Sequence, residues 1–84
     1  MDAKVYELFK QTNPRIKSYE RGKGKVLIRA TCSLEHKDIL EELITVCKNH
    51  NDVTVEKNEE TNSVIYFTVM SKEDFTDKLV KDFF

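Results

Sequence analysis

Val5, Leu8 and Phe9 recur at helical spacing, so residues 3 to 12 carry one apolar side and a helix is predicted there. Asp2 suits its N-cap. Asn13-Pro14 stops it, because a residue before proline is driven out of the helical region, and the segment to residue 14 belongs to this first element. From Arg15 the period shortens to two. Residues 15 to 20 and 25 to 33 read as strands joined across Arg21-Gly22-Lys23-Gly24, whose glycines permit positive φ; Val26, Ile28, Ala30 and Cys32 share a face of the second. Ser33 then suits an N-cap, and Ile39, Leu40, Leu43, Ile44 and Cys47 form the stripe of a helix over about 34 to 49. Glu35 and Asp38 lie near its positive end and Lys48 near its negative end.

Val53 and Val55 alternate with Thr54 and Glu56, which predicts a strand over 52 to 58; residues 58 to 62 turn, and 63 to 70 run back. This last strand is apolar on both faces, as expected of a central strand or of one whose second face binds something. Ser71 is placed to cap a final helix, with Met70 stapled onto Phe75 and with Phe75, Leu79, Val80 and Phe83 along one side.

The order α-β-β-α-β-β-α predicts a two-layer α+β fold: an antiparallel sheet of about four strands with helices on one face. A single domain over 1–84 divides into the first helix (3–14) and two ββα units (15–50 and 52–84). An offset of 38 residues matches Val26 to Val64, Ser33 to Ser71 and Glu35 to Glu73, as a pseudo-repeat of the ββα unit would.

Composition narrows the class. With 39% hydrophobic and 35% charged residues, two Gly and one Pro, these 84 residues fit a soluble globular chain and exclude fibrous, linker and disordered classes. The longest apolar stretch, Val64 to Met70, falls far short of the roughly 20 residues that cross a bilayer. The first residues contain acids and no apolar run, so a secretory signal is not expected, the cytoplasm is the expected location, and Cys32 and Cys47 are expected to be reduced core thiols. Eleven Lys beside so few Gly and Pro hint at an AT-rich coding sequence, which suits a host-directed phage or mobile-element protein.

Charge is the most informative feature. Residues 1 to 29 hold eight Lys or Arg against three acids, and residues 30 to 84 hold six against twelve, so a net charge of −1 conceals a basic first third and an acidic remainder. In one reading Arg15, Lys17, Arg21, Lys23, Lys25 and Arg29 meet phosphates while Tyr19 stacks on a base. With the even-numbered apolar residues against the helices, Arg15, Lys17, Tyr19, Lys25 and Arg29 line an open sheet face shared or adjoined by Leu27, Ile65, Phe67 and Val69. The bland alternative is a solvated hairpin edge that blocks aggregation. Glu59 and Glu60, assigned to the second hairpin's turn, offer a surface of opposite sign for a basic partner, and complementary tips also admit self-association or a closed homodimer.

Other chemistry does not assemble. Cys32, His36, Cys47 and His50 have a zinc-like composition, but His36 and Cys47 on one helix stand roughly 16 Å apart along its axis, so neither a metal site nor a disulfide is expected. Cys47 with His50, or Cys32 with His36, lacks an orienting acid, and Arg21 to Lys25 lacks the phosphate-loop pattern. Adjacent acids such as Glu41-Glu42 and Glu59-Glu60 diverge instead of sharing a proton. Phe84, with Tyr6, is a candidate anchor for a partner's pocket. The expectation is a non-enzymatic module without cofactor that binds a protein in a regulatory or inhibitory role, with nucleic acid the alternative partner and a membrane surface excluded by the acidic last segment.

Overall fold

The computed structural model describes residues 3–73 and residue 75. Helix α1 (Ala3–Gln11) precedes strands β1 (Arg15–Gly22) and β2 (Lys25–Ser33); a 3₁₀ turn (Leu34–His36) and helix α2 (Lys37–Cys47) follow, then β3 (Val53–Glu60) and β4 (Val64–Lys72). The strands form one antiparallel sheet in the order β1-β2-β4-β3, and both helices pack on the same face, the predicted two-layer α+β arrangement.

Local chemistry accounts for most boundaries. α1 buries Val5, Leu8 and Phe9 and ends where Asn13 turns to φ 51°, a left-handed conformation that asparagine tolerates. Its predicted cap, Asp2, lies outside the described residues. Between β1 and β2 the positive φ values belong to Lys23 (53°) and Gly24 (78°), not to Gly22, so a single glycine and a lysine make the tight turn. Ser33 does act as an N-cap, its Oγ accepting from the Glu35 amide at 3.4 Å, but the turn it caps is 3₁₀. The predicted helix over 34 to 49 is thus two pieces, joined at His36 with φ −99° and ψ 15°. Such tightening is common at helix starts.

β4 sits between β2 and β3, as its two apolar faces predicted. Ser71 is not a helix cap: it continues β4, buried between Val26 and Val53. Met70 is 48% exposed on the side away from the helices, whereas Phe75 is buried, so the predicted staple does not form. The body of the predicted final helix lies outside the described residues. The 38-residue offset also fails in detail, because it superposes Val26, buried, on Val64, which alternates with the buried Ile65 on the other face.

One hydrophobic cluster joins the layers. Phe9, Leu40, Leu43 and Cys47 from the helices meet Val26, Ile28, Val55, Ile65, Phe67 and Val69 from the sheet. Phe75 joins the same side, its ring 5.2 Å from Tyr6 and 5.3 Å from His50. Tyr6 is therefore partly buried and not an exposed anchor.

Candidate functional site

The side of the sheet turned away from the helices is open among the described elements, and the ladder registers settle what it displays. Reading across β1, β2, β4 and β3, one row contains Arg15, Thr31, Tyr66 and Glu59; the next contains Ser18, Arg29, Thr68 and Glu56; the third contains Glu20, Leu27, Met70 and Thr54. Tyr66 is 42% exposed and Met70 48%, large apolar groups that a buried face would not leave to water. Arg15 and Arg29 lie towards the β1 end of this face, with the Glu20 carboxylate beside Arg29, and Glu56 and Glu59 stand at the β3 end.

Two bulges create that pattern. Lys17 drops out of register between Ile16 and Ser18, and Asn58 does so between Lys57 and Glu59. Each extra residue reverses which side the following residues face. Beyond the first bulge Tyr19 pairs with Ile28 on the helix side, correcting its predicted place on the open face; Glu20 takes the open side instead. Tyr19 is half-buried and its hydroxyl accepts from an Arg21 nitrogen at 2.6 Å, with the guanidinium 5.5 Å from the ring centre. Arg21 also pairs with Glu73.

The basic residues singled out in the sequence are therefore divided. Arg15, Lys17, Lys25 and Arg29 border the open face, Arg21 lies on the helix side, and Lys23 sits at the hairpin tip. Arg29 lies 3.6 Å from the Glu20 carboxylate, which neutralises part of its charge, whereas Arg15 and Lys17 form no ion pair among the described residues. Arg15, Lys17, Ser33, Ser63 and Tyr66 line a shallow depression of about 440 Å³ at one end of the face.

Glu59 and Glu60 belong to β3 rather than to a turn, and they diverge as adjacent residues do. Glu59 pairs with Tyr66 on the open face. Glu60 faces the helix side, where Lys37 of α2 and Lys57 both donate to its carboxylate at 3.3 Å; the Lys37 bond above all holds this carboxyl below the usual range. The turn itself belongs to Thr61, whose Oγ accepts from the Ser63 and Val64 amides. Phe84 lies outside the described residues.

Burial pushes the Cys47 thiol up to about 11 and raises Cys32 as well, the reverse of what a nucleophile needs. Both thiols are buried and unbridged. His50 accepts from the Asp52 amide at 3.2 Å, so that ring nitrogen orders the loop before β3. Among the described residues no three His, Cys, Asp or Glu side chains are placed to hold a metal ion, and no helix is long and apolar enough to cross a membrane.

The sequence reading set Ile65, Phe67 and Val69 on or beside the open face, and all three are buried in the core. The residues it missed there are Tyr66, Thr68 and Met70. The alternation of β4 was visible, but choosing its outer half required the pairing of Ile65 with Cys32 and of Val69 with Ile28, which ties one parity to the core. Neither a protein-family model nor a curated protein matches this chain.

Proposed function

We propose that this protein is a small non-enzymatic binding module that engages another protein through the open face of its sheet, in a regulatory or inhibitory role within the cytoplasm. The observation that carries this reading is the set of apolar side chains on this face, exposed Met70 and Tyr66 with half-buried Leu27, flanked by Arg15 and Lys17 on one side and by Glu56 and Glu59 on the other. Protein interfaces combine an apolar, aromatic- and Met-rich centre with a charged rim, and a rim of both signs steers a protein of matching pattern. The small size and lysine-rich composition suit a host-directed phage or mobile-element protein.

A nucleic-acid partner is the second reading, favoured by one feature: Arg15 and Lys17 line the same depression as Tyr66, where phosphate contact and base stacking would coincide. Glu56 and Glu59 on the same face oppose it, because a phosphate backbone crossing the sheet would meet them.

The test replaces Tyr66 with a photo-crosslinking phenylalanine derivative in the native cell, with the same replacement at exposed Lys48 as a control. Protein adducts formed at position 66, absent at 48 and lost when Met70→Asp is added, are the expected result. In parallel, labelled single-stranded and duplex oligonucleotides are titrated at low salt. Absence of position-specific adducts overturns the protein reading, and micromolar oligonucleotide binding that weakens steeply with salt puts the second reading in its place.

A further inference from the structure

The open face is complementary to itself. Consider two copies stacked sheet to sheet and related by a two-fold axis parallel to the strands. Each row then lies over its own counterpart in reverse order, so the β1 end of one copy covers the β3 end of the other. In the first row Arg15 meets Glu59 of the second copy, and Thr31 meets its Tyr66; in the second row Arg29 lies over Thr68 and Ser18 over Glu56. In the third row Leu27 lies over Met70 and Met70 over Leu27, which places the apolar pairs near the axis. An isologous contact makes every one of these pairs twice.

We infer that the occupant of this face is a second copy of the same chain, bound as a face-to-face dimer with Arg15 of each protomer against Glu59 of its partner. The inference rests on the open face being a protein-binding surface and names the protein. Two observations carry it. Arg15 at the β1 edge and Glu56 and Glu59 at the β3 edge are set as this axis requires, while Glu20 of β1 lies over the neutral Thr54; an axis across the strands through the middle row would set each strand on its own copy and bring Arg29 over Arg29 and Glu56 over Glu56. Half-buried Leu27 and exposed Met70 are cross-strand partners in the middle two strands, where the axis passes. With this axis the strands of the two copies would run nearly aligned, within the roughly 30° at which stacked sheets pack.

One row opposes the contact: Lys25 lies over Lys72, though Lys72 is bonded to the Asp52 carboxylate at 2.9 Å and does not present a bare charge. Four strands at ~4.8 Å spacing and about seven residues at ~3.3 Å cover about 19 by 23 Å. At roughly 440 Å² on each copy, that footprint is below the standard size of a stable interface, so the dimer is a weak, transient one.

Sedimentation equilibrium of the full chain, from about 5 to 500 µM at low salt, tests this. Wild type is expected to rise from one chain mass towards two. Arg15→Glu alone and Glu59→Arg alone each place like charges together twice and are expected to weaken the dimer about tenfold or more. An equimolar mixture of the two variants restores both pairs, because in the mixed dimer each carboxylate again meets a guanidinium; the double variant restores them within one chain. Both positions are exposed, and the double variant controls for misfolding. Wild type that stays monomeric throughout overturns self-association while leaving adducts at position 66 to decide the broader reading. A dimer indifferent to the single variants, or one that the mixture does not restore, overturns the face and axis assigned here.

Discussion

Tyr19 stands opposite Ile28 in the β1–β2 ladder, on the helix side of the sheet, because Lys17 bulges out of register two residues before it. Its ring is half-buried against the core, and its hydroxyl takes a hydrogen bond from Arg21. Tyr19→Ala is therefore expected to cost about 1–3 kcal/mol in urea unfolding, whereas Lys17→Ala, at an exposed bulge, stays within about 0.5 kcal/mol of wild type. A neutral Tyr19→Ala would put the tyrosine on the open face after all.

The tight turn of the first hairpin holds a lysine where most L-residues are strained, with φ 53° at Lys23 and 78° at Gly24. A Cβ at Gly24 would meet nothing within 4 Å, so the cost of Gly24→Ala is backbone conformation alone, about 1 kcal/mol. Lys23→Asn should stabilise by a few tenths of a kcal/mol, since asparagine accepts the left-handed region more readily. Thermal unfolding of the two variants is expected to shift in opposite directions.

Cys47, with its thiol pushed up to about 11, and Cys32, also raised, are expected to resist an aromatic disulfide reagent at about pH 8 in the native state and to react at once in concentrated guanidinium. The sign of the linked stability follows. A thiol whose folded value exceeds its unfolded one stabilises fully below the unfolded value, near 8.5, and that contribution is lost as pH climbs towards about 11. Stability measured at rising pH should decline above roughly pH 8.5, and Cys47→Ala should lessen the decline.

At the acid end the Lys37 and Lys57 bonds hold the Glu60 carboxyl below its usual range, and the Lys72 bond does the same for Asp52. A carboxylate depressed in the folded state stabilises above its unfolded value and ceases to do so as pH falls through the folded one. The urea midpoint is expected to hold from about pH 7 to 5 and to fall below about pH 4, with Glu60→Gln flattening part of that fall. Both sites are exposed to water, so the effect is modest and shrinks with added salt.

Much of the fold was legible because the relevant signals are local. Helical recurrence of Val5, Leu8 and Phe9, the cap at Ser33, the stop at Asn13-Pro14 and the alternation of Val26, Ile28, Ala30 and Cys32 depend on neighbours a few residues away, and all four appear in the structure. Helix ends and strand lengths shifted by a residue or more, since a 3₁₀ turn or an extra ladder pair is decided by small differences between competing bonds. At Ser71, a good cap by its chemistry, pairing with Val26 and Val53 kept the chain extended.

The candidate face depended on parity, and parity is not local. Sequence by itself determined the element order from α1 through β4, the α+β class, the segregation of positive charge into the first third and the presence of an apolar β4. Only the tertiary structure decided that Lys17 and Asn58 bulge, that Tyr19 turns inward, and that Tyr66 and Met70 rather than Phe67 and Val69 face water. The physical reason is that side chains alternate with a period of two along a strand, so one unpaired residue reverses every side chain beyond it, and whether a residue stays paired is settled by the strand across the ladder.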